Sequence, residues 1–129
     1  MIVQWLSFAF FFLAALIHVG FFVMESILFQ KPGGHKIFKV TEAEHAAVKV
    51  WAFNQGFYNL FIAIGTFVGL TLIFQKQFFV AGIMTGFCGL SMIGAGVVLW
   101  FSAPRLRRGA LIQMIPPILG FIFLSFHAR

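Results

Sequence analysis

Charged residues are scarce in this sequence: they make up 9% of its 129 residues, while 61% are hydrophobic. Soluble domains carry about 25% charged residues, so this chain cannot cover itself with a normal polar surface. The deficit argues against a water-soluble fold, a disordered chain and a nucleic-acid-binding module. Acidic residues are the rarest, with three glutamates and no aspartate against nine Lys and Arg. The composition predicts an integral membrane protein.

Cysteine and histidine are too few and too scattered for several kinds of site. Cys88 is the only cysteine and lies in an apolar run, so no disulfide can form within the chain and an inert thiol is expected. The four histidines do not cluster at metal-ligand spacing; they are His18, His35, His45 and His127. A phosphate-binding glycine loop and a G-x-S-x-G motif are also missing. We therefore expect neither a metal nor a cofactor.

Charge-free runs divide the sequence into four membrane spans. They cover residues 1–24, 50–75, 77–104 and 109–128, and a helix needs about 20 apolar residues to cross the hydrocarbon. Since helices satisfy their own backbone groups in lipid, we predict an all-α, four-helix up-down bundle forming a single domain over residues 1–129. The expected helices cover about residues 3–29, 46–74, 78–101 and 110–127. No Lys or Arg precedes the first run, so we expect it to remain as a helix rather than to be removed as a signal peptide.

Basic residues concentrate in two of the three connections. Pro32-Gly33-Gly34 marks a turn in the first of them, and Thr41 to Glu44 has the pattern of an N-cap that opens the second helix. The loops at 30–45 and 102–109 share one side, opposite Lys76 and Arg129, and hold Lys31, Lys36, Lys39, Arg105, Arg107 and Arg108. The positive-inside rule predicts that these loops are cytoplasmic and that both termini lie outside the cell membrane. Membrane lipids, anionic headgroups among them, are the expected partners.

The first span carries an ionisable pair among its phenylalanines. Glu25 lies inside the predicted helix, and His18 is seven residues earlier, which places both on one face, in line with Ser7. Charged groups inside a span are costly and by default suggest function. The alternative is that Glu25 reaches the membrane interface and that His18 only bonds a neighbouring helix.

The second span carries a polar arc, which we expect to face the other helices because small residues share it. Its members are Asn54, Gln55, Tyr58 and Asn59. At matching depths, His18 could meet the Asn54–Gln55 pair. Gln113, in the fourth span, is a better-placed partner for Glu25 than Lys49, which lies away from the centre of the arc. The alternative is that these amides serve only as hydrogen-bonding glue between helices.

These same residues resemble a known family. The chain is similar to the domain of unknown function family 1304, a group of small four-helix membrane proteins. The resemblance covers nearly the whole sequence and is strongest at residues 54–59, where Asn-Gln-Gly-Phe-Tyr-Asn stands, and it extends to His18, Glu25 and Gln113. The resemblance implies the helix count and supports the choice of site residues, but it implies no activity.

The hypothesis that we favour is a protein that binds or transports a small amphipathic or lipid-like ligand. The expected pocket is polar, lies in the cytoplasmic half of the bundle, and is lined by His18, Glu25, Asn54, Gln55, Tyr58, Asn59 and Gln113. One alternative is an intramembrane acid–base enzyme, an isomerase or hydrolase acting on a lipid-like substrate. Another is a structural or assembly subunit. The sequence leaves open whether the protein forms a homo-oligomer.

Overall fold

The structure is a computed structural model that describes residues 2–127. Its long helices are α1 (Ile2–Phe22), α2 (Glu42–Phe74), α3 (Phe78–Ser102) and α4 (Arg107–His127), and a π-helical segment, Val23–Leu28, continues α1. Within the described residues there are four long helices and no strand, which confirms the predicted all-α four-helix class. The second helix begins at Glu42 rather than near residue 46. Three residues used in the span and charge arguments, Met1, Ala128 and Arg129, lie outside the described residues.

The start of α2 is the N-cap that the sequence predicts. The side chain of Thr41 accepts a hydrogen bond from the backbone N–H of Glu44 (3.3 Å), and the Glu44 carboxylate accepts one from the backbone N–H of Thr41 (2.7 Å). This reciprocal capping box satisfies backbone donors that have no partner inside the helix. It fixes the residue at which the chain enters the second span.

The connection between α2 and α3 is a tight turn, Gln75-Lys76-Gln77. Lys76 has a left-handed backbone, with φ at 59°, and its N–H donates to the carbonyl of Ile73 (3.0 Å). The N–H of Gln77 donates to the carbonyl of Leu72 (3.0 Å). The turn therefore supplies hydrogen-bond donors to the last carbonyls of α2 and fixes Lys76 at the tip of the bundle.

Small residues allow the helices to pack closely. Each helix packs on its neighbours in the sequence, and α1 closes the ring by packing on α4. A methyl group added at Gly69 would lie 2.7 Å from Thr85 Cγ2, and one at Gly120 would lie 2.9 Å from the Phe11 ring. In lipid, where apolar burial gives little drive for helices to associate, such close approach is a main source of stability.

The outer surface of the bundle is apolar. Each helix includes a stretch long and apolar enough to cross a membrane, so the described residues hold four spans and the chain is a multi-pass membrane protein. Large apolar side chains cover the outside, for example Phe79, which is 81% exposed, and Phe101, which is 76% exposed. We call the end with the connections at residues 29–41 and 103–106 the basic end, and the end with Gln75–Gln77 the turn end.

Candidate functional site

A cleft of about 730 Å³ opens between the helices at the turn end. This volume falls within the range of about 300–1,000 Å³ that is typical of small-molecule sites. Most of its wall is aromatic or aliphatic. We call it the turn-end cleft, and its lining residues are Gln4, Trp5, Ser7, Phe8, Phe11, Leu70, Ile73, Phe74, Lys76, Phe78, Ala81, Gly82, Thr85 and Leu124.

An aromatic cluster forms one wall of the turn-end cleft. The rings of Phe8 and Phe74 meet edge to face, with centroids 5.4 Å apart, and Trp5 lies 5.9 Å from Phe8 and 6.4 Å from Phe74. Edge-to-face packing holds such rings in fixed relative orientations. The wall therefore joins α1 to the end of α2 and presents a broad apolar surface.

The polar groups that line the turn-end cleft differ in whether they are free to donate a hydrogen bond to a ligand. The hydroxyl of Ser7 donates to the carbonyl of Gly120 (2.9 Å), and that of Thr85 donates to the carbonyl of Ala81 (2.7 Å). Both hydroxyl protons are thus engaged by the backbone. Lys76 and Gln4, both exposed, and the indole N–H of Trp5 are the remaining polar groups of the lining. Lys76 carries the only charge among them.

The location of this cleft differs from the expectation. The sequence argument placed a pocket in the half of the bundle near Glu25, at the basic end, whereas the turn-end cleft lies at the opposite end. The reason is packing: near Glu25 the first helix lies so close to α2 that Gly56 has no room for a side chain. The lining of the cleft contains none of the seven residues predicted to form the pocket.

A polar junction ties the π segment to α2 near the basic end. The carboxylate of Glu25 accepts a hydrogen bond from Asn59 Nδ2 (2.8 Å), and Ser26 Oγ donates to the carbonyl of Phe53 (2.7 Å). Gln30 Nε2 bridges the π segment and α2, because it donates to the carbonyls of Glu25 (3.0 Å) and Lys49 (3.1 Å). We call these four side chains, Glu25, Ser26, Gln30 and Asn59, the π junction. Sequence reasoning identified Glu25 and Asn59 but missed Ser26 and Gln30, whose polarity at the end of an apolar run was the available signal.

The π segment explains how two consecutive side chains reach the same neighbour. The N–H of Phe29 donates to the carbonyl of Met24 (2.8 Å), five residues back, in place of the usual four. The wider turn reduces the rotation between consecutive residues, so Glu25 and Ser26 both contact α2. Such segments are frequent at functional sites, which makes the π junction a second candidate site.

His18 and Gln113 are buried in the bundle, as their choice as site residues required. His18 is 1% exposed and donates from Nδ1 to the carbonyl of Ala14 in its own helix (2.9 Å). With the proton on Nδ1, the neutral ring keeps its free lone pair on Nε2. Gln113 is 7% exposed on α4. Glu25 takes its hydrogen bond from Asn59, and none joins Glu25 to Gln113 in residues 2–127, so the expected partner of Glu25 was wrong.

The remaining part of the polar arc faces outwards, against expectation. Asn54 and Gln55 are exposed, and Tyr58 is 63% exposed, so the structure does not bring Asn54 and Gln55 to His18 inside the bundle. The physical reason is that small residues, rather than polar ones, determine which face of α2 packs against the other helices. Asn54 lies about 150° around the helix from the buried line, whose members are Asn59, Ala63, Thr66 and Leu70.

Comparison with known proteins identifies one family. A family model described as "Protein of unknown function (DUF1304)" matches residues 12–125. This range contains the π junction, His18, Gln113 and the Lys76 turn, while the first residues of the cleft lining precede it. No curated protein and no solved structure matches the chain. In the described residues no three His, Cys or Glu side chains group as metal ligands would.

Proposed function

The chain belongs to the family described as protein of unknown function DUF1304, and we propose that it binds a small amphipathic, lipid-like ligand in the turn-end cleft. Binding could be the whole function or one step of transport between leaflets. The observation that carries the proposal is the cleft itself: about 730 Å³ of space in a membrane bundle, walled by rings and bearing few polar groups. Ligand sites are typically apolar cavities with a small number of placed polar groups.

Filling the cleft tests the proposal. Gly82 lines the cleft, and a Cβ there would have no atom within 4 Å, so Gly82→Phe adds a ring at the cleft wall. Trp5 also lines the cleft and reports binding, once Trp51 and Trp100 are replaced by Phe to leave it as the only tryptophan. Brominated hexadecanol quenches a tryptophan that it contacts. We expect saturable quenching in the parent protein and at least a tenfold weaker affinity in Gly82→Phe, about 1.4 kcal/mol.

The matched control is Gly94→Phe in the same helix. Gly94 is exposed, a side chain there also meets open space, and it is not part of the cleft lining. Its affinity should equal that of the parent protein. Equal affinities in Gly82→Phe and Gly94→Phe would place the quencher outside the cleft, and a parent protein without saturable quenching would contradict the proposal.

A structural role is the second candidate function, and the π junction favours it. Its hydrogen bonds run between the π segment and α2, so Glu25, Ser26 and Asn59 hold two helices together. In this hypothesis the polar residues stabilise the bundle and the ionisable carboxyl takes no part in a reaction. The two candidate functions are compatible, because the π junction and the turn-end cleft share no residue.

We propose that the basic end faces the cytoplasm of the cell, with the turn end outside. Six Lys and Arg, four in the two basic-end connections and two at the start of α4, support this orientation against two on the opposite side of the sequence, Lys76 and Arg129. In a Cys88→Ala background, a cysteine at position 76 should react with an impermeant thiol reagent added to intact cells. A cysteine at position 107 should react only after the membrane is opened. The reverse pattern would overturn the proposed orientation.

A further inference from the structure

The head group of the ligand can be inferred from the charges around the turn-end cleft, on the basis of the function proposed above. We infer that the ligand is an amphiphile with an anionic head group, a carboxylate or a phosphate, that pairs with the ammonium group of Lys76. Its hydrocarbon chain lies against the aromatic wall formed by Trp5, Phe8 and Phe74.

Within residues 2–127, Lys76 is a cation without an acidic side chain as its partner. The three acidic residues of the sequence are Glu25, in the π segment, and Glu42 and Glu44, in the first turn of α2. All three lie toward the basic end, a membrane span away from Lys76. Across residues 2–127, no ion pair or hydrogen bond engages the Lys76 ammonium group. An anion brought by a ligand would therefore supply a countercharge that no acidic side chain of the described residues provides at the cleft.

The turn holds Lys76 at the cleft rather than leaving its position to a mobile loop. The backbone of the turn is fixed by the hydrogen bonds from Lys76 N–H to Ile73 and from Gln77 N–H to Leu72. The glutamines on either side of the lysine also bond each other, with Gln77 Nε2 donating to Gln75 Oε1 (3.3 Å). The two glutamine side chains are thus paired with one another. The lysine is the charged side chain of the turn and, unlike the two glutamines, it belongs to the cleft lining.

The interior of the cleft restricts what else the ligand can carry. Below the aromatic wall the lining continues with Phe11, Leu70 and Ala81, and the hydroxyl protons of Ser7 and Thr85 are engaged by backbone carbonyls. Buried polar ligand groups without partners are costly, so the interior disfavours a sugar or a nucleotide, which carries more polar groups than this lining can pair. An alkyl or isoprenoid chain needs no such partners. Recognition of polarity is therefore confined to the mouth, where Lys76 lies.

The test compares two probes that differ only in the head group. Brominated palmitate and brominated hexadecanol are titrated into the Trp5-only protein in a non-ionic detergent, with brominated hexadecyl phosphate as a third arm to separate phosphate from carboxylate. We expect the anionic probes to bind about fivefold more tightly than the alcohol, as for one ion pair at a partly wet site. Lys76→Gln should remove this difference, so that the anionic probes and the alcohol bind with equal affinity.

The matched control is Lys39→Gln. Lys39 is also an exposed lysine with a left-handed backbone, at φ 55°, but it lies in the basic-end connection. Lys39→Gln should leave the affinity for the acid and the affinity for the alcohol unchanged. Equal binding of acid and alcohol in the parent protein, or an equal loss in Lys39→Gln and Lys76→Gln, overturns the inference while the proposed cleft still stands. Absence of saturable quenching by every probe contradicts the proposed function itself.

Discussion

Gly56→Ala is expected to destabilise the protein, although alanine is the better helix former. A methyl group at Gly56 would overlap Ser26 Oγ and lie 3.0 Å from the Ser26 backbone nitrogen and 3.1 Å from Glu25 Cβ. These atoms belong to the π junction and cannot move without breaking its hydrogen bonds. Overpacking costs about 1–3 kcal/mol, and the helix propensity of alanine returns at most about 1 kcal/mol. Because the methyl group would overlap Ser26 Oγ, the upper end of the overpacking cost applies, and we expect a net loss of about 2 kcal/mol of the free energy of unfolding.

Thermal unfolding in detergent measures this effect, with Gly94→Ala as the matched control. Gly94 also lies inside a membrane helix, but a methyl group there meets nothing within 4 Å. That variant should melt at the same temperature as the parent protein or slightly higher. Equal melting temperatures for Gly56→Ala and Gly94→Ala would show that the π segment and α2 are not in the close contact described here.

Asn59→Ala should be the second strongly destabilising change. It removes the amide that donates to the Glu25 carboxylate at 2.8 Å and leaves a half-buried, unpaired acceptor against a small void. Loss of one partner from a buried hydrogen bond costs about 1–3 kcal/mol. The matched control is Gln55→Ala, which removes an exposed amide from the same helix and should change the free energy of unfolding by less than about 0.5 kcal/mol.

A double-mutant cycle assigns the Asn59 effect to its partner. If the loss comes from the Glu25–Asn59 bond, Glu25→Ala and Asn59→Ala together should cost less than the sum of the single changes, by about 0.6–1.7 kcal/mol for a bond inside a membrane. Additive losses would mean that Asn59 acts through packing alone. Equal stability of Asn59→Ala and Gln55→Ala would contradict the assignment of the buried face of α2.

The span positions could be predicted because lipid enforces a simple rule. Charges such as Lys49, Lys76 and Arg105 bound the apolar runs, and each run between them must be a helix to satisfy its own backbone. The capping pattern at Thr41 correctly marked the N-cap of α2, whereas the span estimate placed the start of the helix near residue 46. These features are local, so a single sequence contains them.

The faces of the helices were harder to predict because polarity and packing compete. The polar arc on α2 was expected to turn inwards as a whole, yet Asn59 is buried while Asn54 is exposed. Gly56 and Ala63 decide the packed face, since close approach depends on small volume. On the first helix, the π segment changes the rotation per residue after Phe22, so a wheel drawn with a constant angle loses its phase before Glu25.

The turn-end cleft has no signature in the sequence. Its walls come from both ends of the chain, Trp5 and Leu124, and from the turn at Lys76. Aromatic and small residues of the same kinds occur throughout the spans, so composition does not distinguish those that enclose space from those that fill it. Only the relative placement of the helices determines where a cavity remains.

The π segment also affects how the bundle can fit bilayers of different thickness. A π turn holds more residues than an α turn and so advances less along the axis per residue. If part of Val23–Leu28 changed to regular α geometry, the first span would lengthen while its connection at Pro32 kept the same residues. Hydrophobic mismatch, which costs fractions of a kcal/mol per Å, could thus be relieved at this joint. The Glu25–Asn59 hydrogen bond would then stabilise the π-helical form, in which the first span is shorter.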